Sequence, residues 1–171
     1  MNQLKAQIQE AAQVLLGKPL WAMNRAADLA MFDFGTPRKV QGFRGEIKEV
    51  GDYALHVQCA WRIRRVDNVL VGRGDIFSPP EDTDEPLPDD FDWQEENRFD
   101  KIVSSLFGCS KEFMVRGVEA GSAGNLAIVL DEDLTIEVFP NDSLKGEHWR
   151  LFEPYREKPH FVVSGTGGET A

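Results

Sequence analysis

His56, Arg62 and Arg64 carry the first chemical promise in this chain. In the stretch His56-Val-Gln-Cys-Ala-Trp-Arg-Ile-Arg-Arg65 apolar and polar residues alternate. Val57, Cys59, Trp61 and Ile63 fall on one side of an extended strand; His56, Gln58, Arg62 and Arg64 fall on the other. At ~3.3 Å per residue the polar row would line about 25–30 Å of one sheet face. An imidazole beside guanidinium groups could hold an anion or act on one. The plainer reading is a solvated face, because no acid or nucleophile is fixed beside the row.

A second set lies further along. His148 and Arg150 would share a strand face, and Glu137 on the preceding strand could pair with either. An ion pair at a sheet edge is the simpler expectation, since acid–base work would need a cleft. The ligand-binding candidates are therefore His56, Arg62, Arg64, Glu137, His148 and Arg150, and no residue is assigned as catalytic. His56, His148 and His160 lack the HxH or i, i+4 spacing of a metal site, so neither metal nor cofactor is expected. Cys59 and Cys109 lack a CxxC partner and read as structural thiols. Arg73-Gly74-Asp75 and the sequon Asn141-Asp142-Ser143 need an extracellular setting that no export signal provides. Gly72-Arg-Gly74 lacks the third glycine and the helix of a dinucleotide turn.

Charge is uneven along the 171 residues, whose net charge is −10. Residues 1–73 hold 11 Lys/Arg against 7 Asp/Glu, and residues 74–171 hold 8 against 22. Ten acids and one arginine fall between 79 and 100. Such a field repels nucleic acid, despite the basic patch Arg62, Arg64, Arg65 and Arg73, and favours a basic protein partner. Asp82, Asp84, Glu85, Asp89 and Asp90 are the partner-binding candidates. The N-terminus mixes Gln, Glu and Lys into its apolar pattern, and no later run approaches the ~18 apolar residues of a membrane span. A soluble, cytoplasmic protein without membrane contact is expected.

These residues need elements to position them. Leu4, Ile8, Ala11 and Leu15 recur at helical spacing before Gly17 and Pro19, which predicts a helix over 3–16. Strands are expected at 20–26, 29–34, 42–50, through 52–65, and at Asn68–Gly72. The acidic, proline-punctuated stretch 78–91 reads as an exposed loop. A second helix is expected to begin near Asp92 and to close at Gly108. Strands follow at EFMVRGVEA, NLAIVL, LTIEVF, HWRLF and HFVVS, and residues 165–171 are expected to fray. The pattern predicts one α+β domain over 1–164, a mostly antiparallel twisted sheet of about eight to ten strands with two covering helices.

The halves echo one another: LLGK and LFGCSK close the helices, DLAMF matches NLAIV from Leu29 and Leu126, and CAWRI matches HWRL. Chance likeness among short amphipathic strands accounts for this most simply. A helix-plus-strands repeat would instead require residues 3–73 and 93–164 to superpose. Trp61 and Trp149 should be core anchors and Arg62 and Arg150 exposed neighbours.

DLAMFDFG, YALHVQCAWRI with GRGDIF, and LTIEVFPNDSLKGEHWRLF together resemble a family of small uncharacterised bacterial α+β proteins with paired Trp-Arg strand motifs. The resemblance spans about residues 15–164, and its motifs are sheet signatures. Size, acidity and pattern also resemble toxin-immunity proteins in style. The expected function is a non-enzymatic protein-binding module, immunity-like; the alternative is an enzyme acting on a small molecule or anion through the His/Arg face.

Overall fold

The computed structural model describes residues 3–82 and 84–171. Met1 and Asn2 of the expected domain, and Thr83 of the acidic loop, lie outside the described residues. Helix α1 (Gln3–Ala12) runs into a single 3₁₀ turn, and buries Ile8, Ala12 and Leu15. Gly17, at φ +72°, turns the chain through the left-handed region into the sheet. The strands are β1 (Pro19–Ala26), β2 (Leu29–Phe34), β3 (Arg38–Gln41), β4 (Ile47–Val50), β5 (Tyr53–Val57), β6 (Ala60–Arg65) and β7 (Asn68–Gly72). A 3₁₀ turn at Arg73–Phe77 and the acidic loop lead to α2 (Arg98–Leu106). Then come β8 (Phe113–Ala120), β9 (Leu126–Leu130), β10 (Leu134–Phe139), β11 (Glu147–Phe152), β12 (Phe161–Ser164) and β13 (Gly167–Thr170).

Among the described residues the fold is α+β: two α-helices on a sheet of eleven strands, rather than eight to ten, plus the separate ribbon β3–β4. The expected strand at 42–50 is the turn and second arm of that ribbon, closed where Gly42 N–H donates to Glu46 O. The second helix starts at Arg98 instead of near Asp92. Asn97 caps it, accepting from Asp100 N–H while the Asp100 carboxylate accepts from Asn97 N–H. The C-terminal segment pairs with β12 as β13 instead of fraying.

The long strand expected over 52–65 breaks at Gln58–Cys59. The sheet order is β13-β12-β11-β5-β2-β1-β8-β9-β10-β6-β7, so β5 and β6 stand six places apart. Six flat spacings would measure about 29 Å. The link from Val57 to Ala60 reaches only about 10 Å. The sheet must curl over on itself, and contacts across the interior follow. Trp61 on β6 meets Phe32 on β2 edge-on at 5.8 Å and Phe99 of α2 at 5.9 Å. The Trp149 indole N–H donates to Gly124 O at 2.9 Å. Both tryptophans are buried, while Arg62 is exposed and Arg150 half-buried.

Outward from the β1–β8 seam, one side reads β1, β2, β5, β11, β12 and the other β8, β9, β10, β6, β7. Each half of the chain supplies three strands to its own side and its next two to the other, and β13 adds one more strand outside β12. The registers agree. Trp61 faces Val138 and Arg62 faces Glu137; Trp149 faces Val57 and Arg150 faces His56. A bulge at Leu20/Ala22 in β1 is matched by one at Val115/Gly117 in β8. Each helix is pinned to the other half's first strand: Gln9 bonds the backbone of Val118 and Ala120, and Asp100 the side chain of Arg25. Order, register and bulge position thus run parallel in the two halves. The register also matches Leu126 with Ala30, one residue from the Leu29 suggested by the phrases.

Candidate functional site

The candidate residues do not form one face. Because the chain crosses sides between β5 and β6, His56 and the arginines of β6 belong to opposite halves of the curled sheet. Glu137 is not a neighbour of β11 either, since β10 pairs with β6 and β9. It sits between Arg62 and Arg64, accepting from Arg62 Nε at 2.5 Å and Arg64 Nε at 3.0 Å. Burial pushes its carboxyl upward, and the two guanidinium bonds outweigh that and hold it below the usual range. Arg65 meets Glu132 at 3.6 Å and Arg73 meets Asp28 at 2.6 Å. Each arginine of the basic patch thus has a carboxylate beside it.

His56 occupies the place of Glu137 on the other side. It stands edge-on to Phe152 at 4.7 Å, and Phe152 stacks on His160 at 4.5 Å. Burial first, then the nearby charges of Arg150 and His160, lower its pKa to about 4. Arg150 is held by Glu147 at 2.8 Å. This side carries an aromatic cluster where its counterpart carries an ion triad.

His148 does not share the face of Arg150. A bulge between Glu147 and Trp149 makes His148 the extra residue of β11 against β12 and turns it inward, leaving its side chain 3% exposed. Its carbonyl accepts from both Gln58 N–H and Cys59 N–H, which fixes the β5–β6 crossing against the bulge. Arg73, Asn141 and Asp142 complete the walls of a cleft of about 180 Å³ there. Asn141 Oδ1 accepts from Ala60 N–H. Burial pushes the Cys59 thiol up to about 12, so it is no nucleophile at neutral pH. Sequence reasoning picked out His148, with the polar turn Pro140-Asn141-Asp142-Ser143 close by, but missed Arg73, which arrives from a distant segment through strand exchange.

The acidic segment is held at its base. Phe77 and Trp93 rings pack at 5.0 Å, Arg98 N–H donates to Ser78 O, and Arg98 Nε pairs with Asp75 at 3.1 Å. Lys101 reaches Glu81, and Arg98 reaches Asp82. Arg62, Arg64 and Arg73 are engaged elsewhere, so the loop is steadied by α2. Asp82, Asp84, Glu85, Asp89 and Asp90 are exposed, with Leu87 among them.

Among the described residues no group of three or more His, Cys, Asp or Glu is placed to hold a metal ion. Nor is any helix among them long and apolar enough to cross a membrane. Compared with protein-family models, curated proteins and solved structures, the chain gives no match.

Proposed function

We propose that this is a protein-binding module whose acidic loop 79–92 receives a basic protein. The observation that carries the reading is the presentation of that loop. Its two ends are tied together by Phe77, Trp93 and Arg98, while Asp84, Glu85, Asp89 and Asp90 stand in solvent around half-exposed Leu87. A pinned base with a charged crest lowers the ordering cost of binding and steers a cationic partner. On this reading the protein acts on its partner by occupancy, as an immunity protein does. The enzyme alternative asks for free arginines beside His56; Arg62 and Arg64 are bound to Glu137 and lie on the other side of the sheet.

The test is capture and reconstitution. Wild-type protein and a variant carrying D82N, D84N, E85Q, D89N and D90N are immobilised, and proteins retained at low and high salt are identified by mass spectrometry. The purified partner is then titrated against both. A basic partner binding 1:1, with an on-rate reduced about tenfold in the variant at low salt, supports the reading. Equal on-rates for the two would remove the loop from recognition.

A further inference from the structure

We infer that the cleft beneath the β11 bulge binds a small zwitterion, an α-amino acid with a short side chain. Two buried polar groups in its wall lack partners. Neither ring nitrogen of His148 makes a hydrogen bond, although Nε2 lies 3.2 Å from Asp142 Oδ1, off the line that such a bond requires. Arg73 Nε is buried and unpartnered as well, while Nη2 donates to Asp28. A buried donor left unmade is costly, so a site with two such groups is built to receive an acceptor.

The charges around the cleft divide by sign. Arg73, whose guanidinium pairs with Asp28 but keeps its Nε unpartnered, and the Asn141 amide, whose oxygen is already committed to Ala60, offer donors to a carboxylate. Glu147 is neutralised by Arg150, but Asp142, whose Oδ1 accepts from Leu144 N–H, meets no lysine or arginine among the described residues and keeps its second oxygen to receive an ammonium. A simple anion would face Asp142, and a simple cation would leave the donors of Arg73 Nε and Asn141 unmade. A molecule carrying both charges satisfies both. The volume of about 180 Å³ equals some six waters at ~30 Å³ each, which is room for about six to eight non-hydrogen atoms. That fits an amino acid no larger than threonine.

The cleft is assembled from four separated segments: the β5–β6 crossing, the 3₁₀ turn after β7, the β10–β11 loop and the bulge. A ligand there would tie both halves of the chain together. This inference is independent of the acidic loop.

The test uses isotope-labelled full-length protein. Glycine, L-alanine, L-serine and L-threonine are titrated while the His148 imidazole and the Gln58 and Cys59 amides are followed by NMR; acetate and methylammonium serve as single-charge controls. Saturable shifts with Kd near or below about 1 mM for at least one amino acid, and binding about tenfold weaker for both controls, are expected. H148Q and D142N should each weaken binding about tenfold, whereas the five-substitution loop variant should not. Absence of saturable shifts for all four amino acids overturns the inference and leaves a water-filled cleft. Acetate binding as tightly as the amino acids also overturns it, in favour of a plain anion site.

Discussion

Trp61 and Trp149 hold equivalent positions on opposite sides of the curled sheet, yet only one of them is satisfied. Each faces a valine across an exchanged strand, Val138 or Val57. The Trp149 indole donates to Gly124 O, while the Trp61 indole N–H is buried without a partner. Register sets their places, and the local loop decides whether the polar edge is served.

Truncation and conservative replacement should therefore part company. Trp61→Ala should cost roughly 3–5 kcal/mol, as large aromatic deletions in cores do. Trp61→Phe removes an unmade donor together with some packing, and should cost about 1 kcal/mol less than Trp149→Phe, which strands the Gly124 carbonyl. Denaturant midpoints of the three variants check this; equal costs for the two Phe variants would contradict it.

Gly124 itself should resist substitution. Its φ is +84°, and a Cβ there would lie 2.8 Å from Val163 Cγ1 and 2.9 Å from Pro140 Cγ. Gly124→Ala combines left-handed strain with clashes against Val163 and Pro140, and should destabilise by about 2–4 kcal/mol. Thermal unfolding of the purified variant measures it.

His56 should make the protein acid-sensitive. Above pH 6.5 the imidazole is neutral in both folded and unfolded chains and contributes nothing to the pH slope. As pH falls from 6.5 towards 4, the unfolded chain takes up a proton that the fold refuses, so stability declines; below the folded pKa of about 4 the loss is complete. Allowing for partial exposure, the loss should be about 1–2 kcal/mol. His56→Phe preserves the aromatic contact with Phe152 and should flatten the stability curve over that window relative to wild type.

Glu137 holds two arginines and should matter more than either. Glu137→Gln leaves Arg62 and Arg64 side by side without their counter-charge, at a cost of about 1–2 kcal/mol. Arg62→Ala, on the more exposed partner, should cost under about 1 kcal/mol. A double-mutant cycle at Arg62 and Glu137 would isolate the coupling.

Much of the strand content was legible because alternation is local: Leu29–Phe34, Leu126–Leu130 and Leu134–Phe139 match their expected bounds within a residue. What was illegible is non-local. Nothing in His56–Arg65 announces a break at Gln58, since the alternation runs unbroken through a crossing enforced by β11. Glu147–Phe152 likewise alternates on paper. The bulge that buries His148 exists only through its pairing with β12, so the expected sharing of a face with Arg150 failed there. The helix expected from near Asp92 starts only at Arg98, because Asn97 with Asp100 completes the capping box there.

The exchange of strands has a consequence for how the chain is made. On a ribosome β6 and β7 emerge long before β10, their only neighbour towards the centre of the sheet, exists. Until the second half arrives, the first carries Trp61 and Ile63 on unpaired edges, exposed to aggregation and to chaperones. The pairings that join the halves, β6 with β10 and β11 with β5, are distant in sequence, which slows folding. Biosynthesis of this protein must therefore keep an incomplete half waiting, and a chain halted after β7 has no native state to reach.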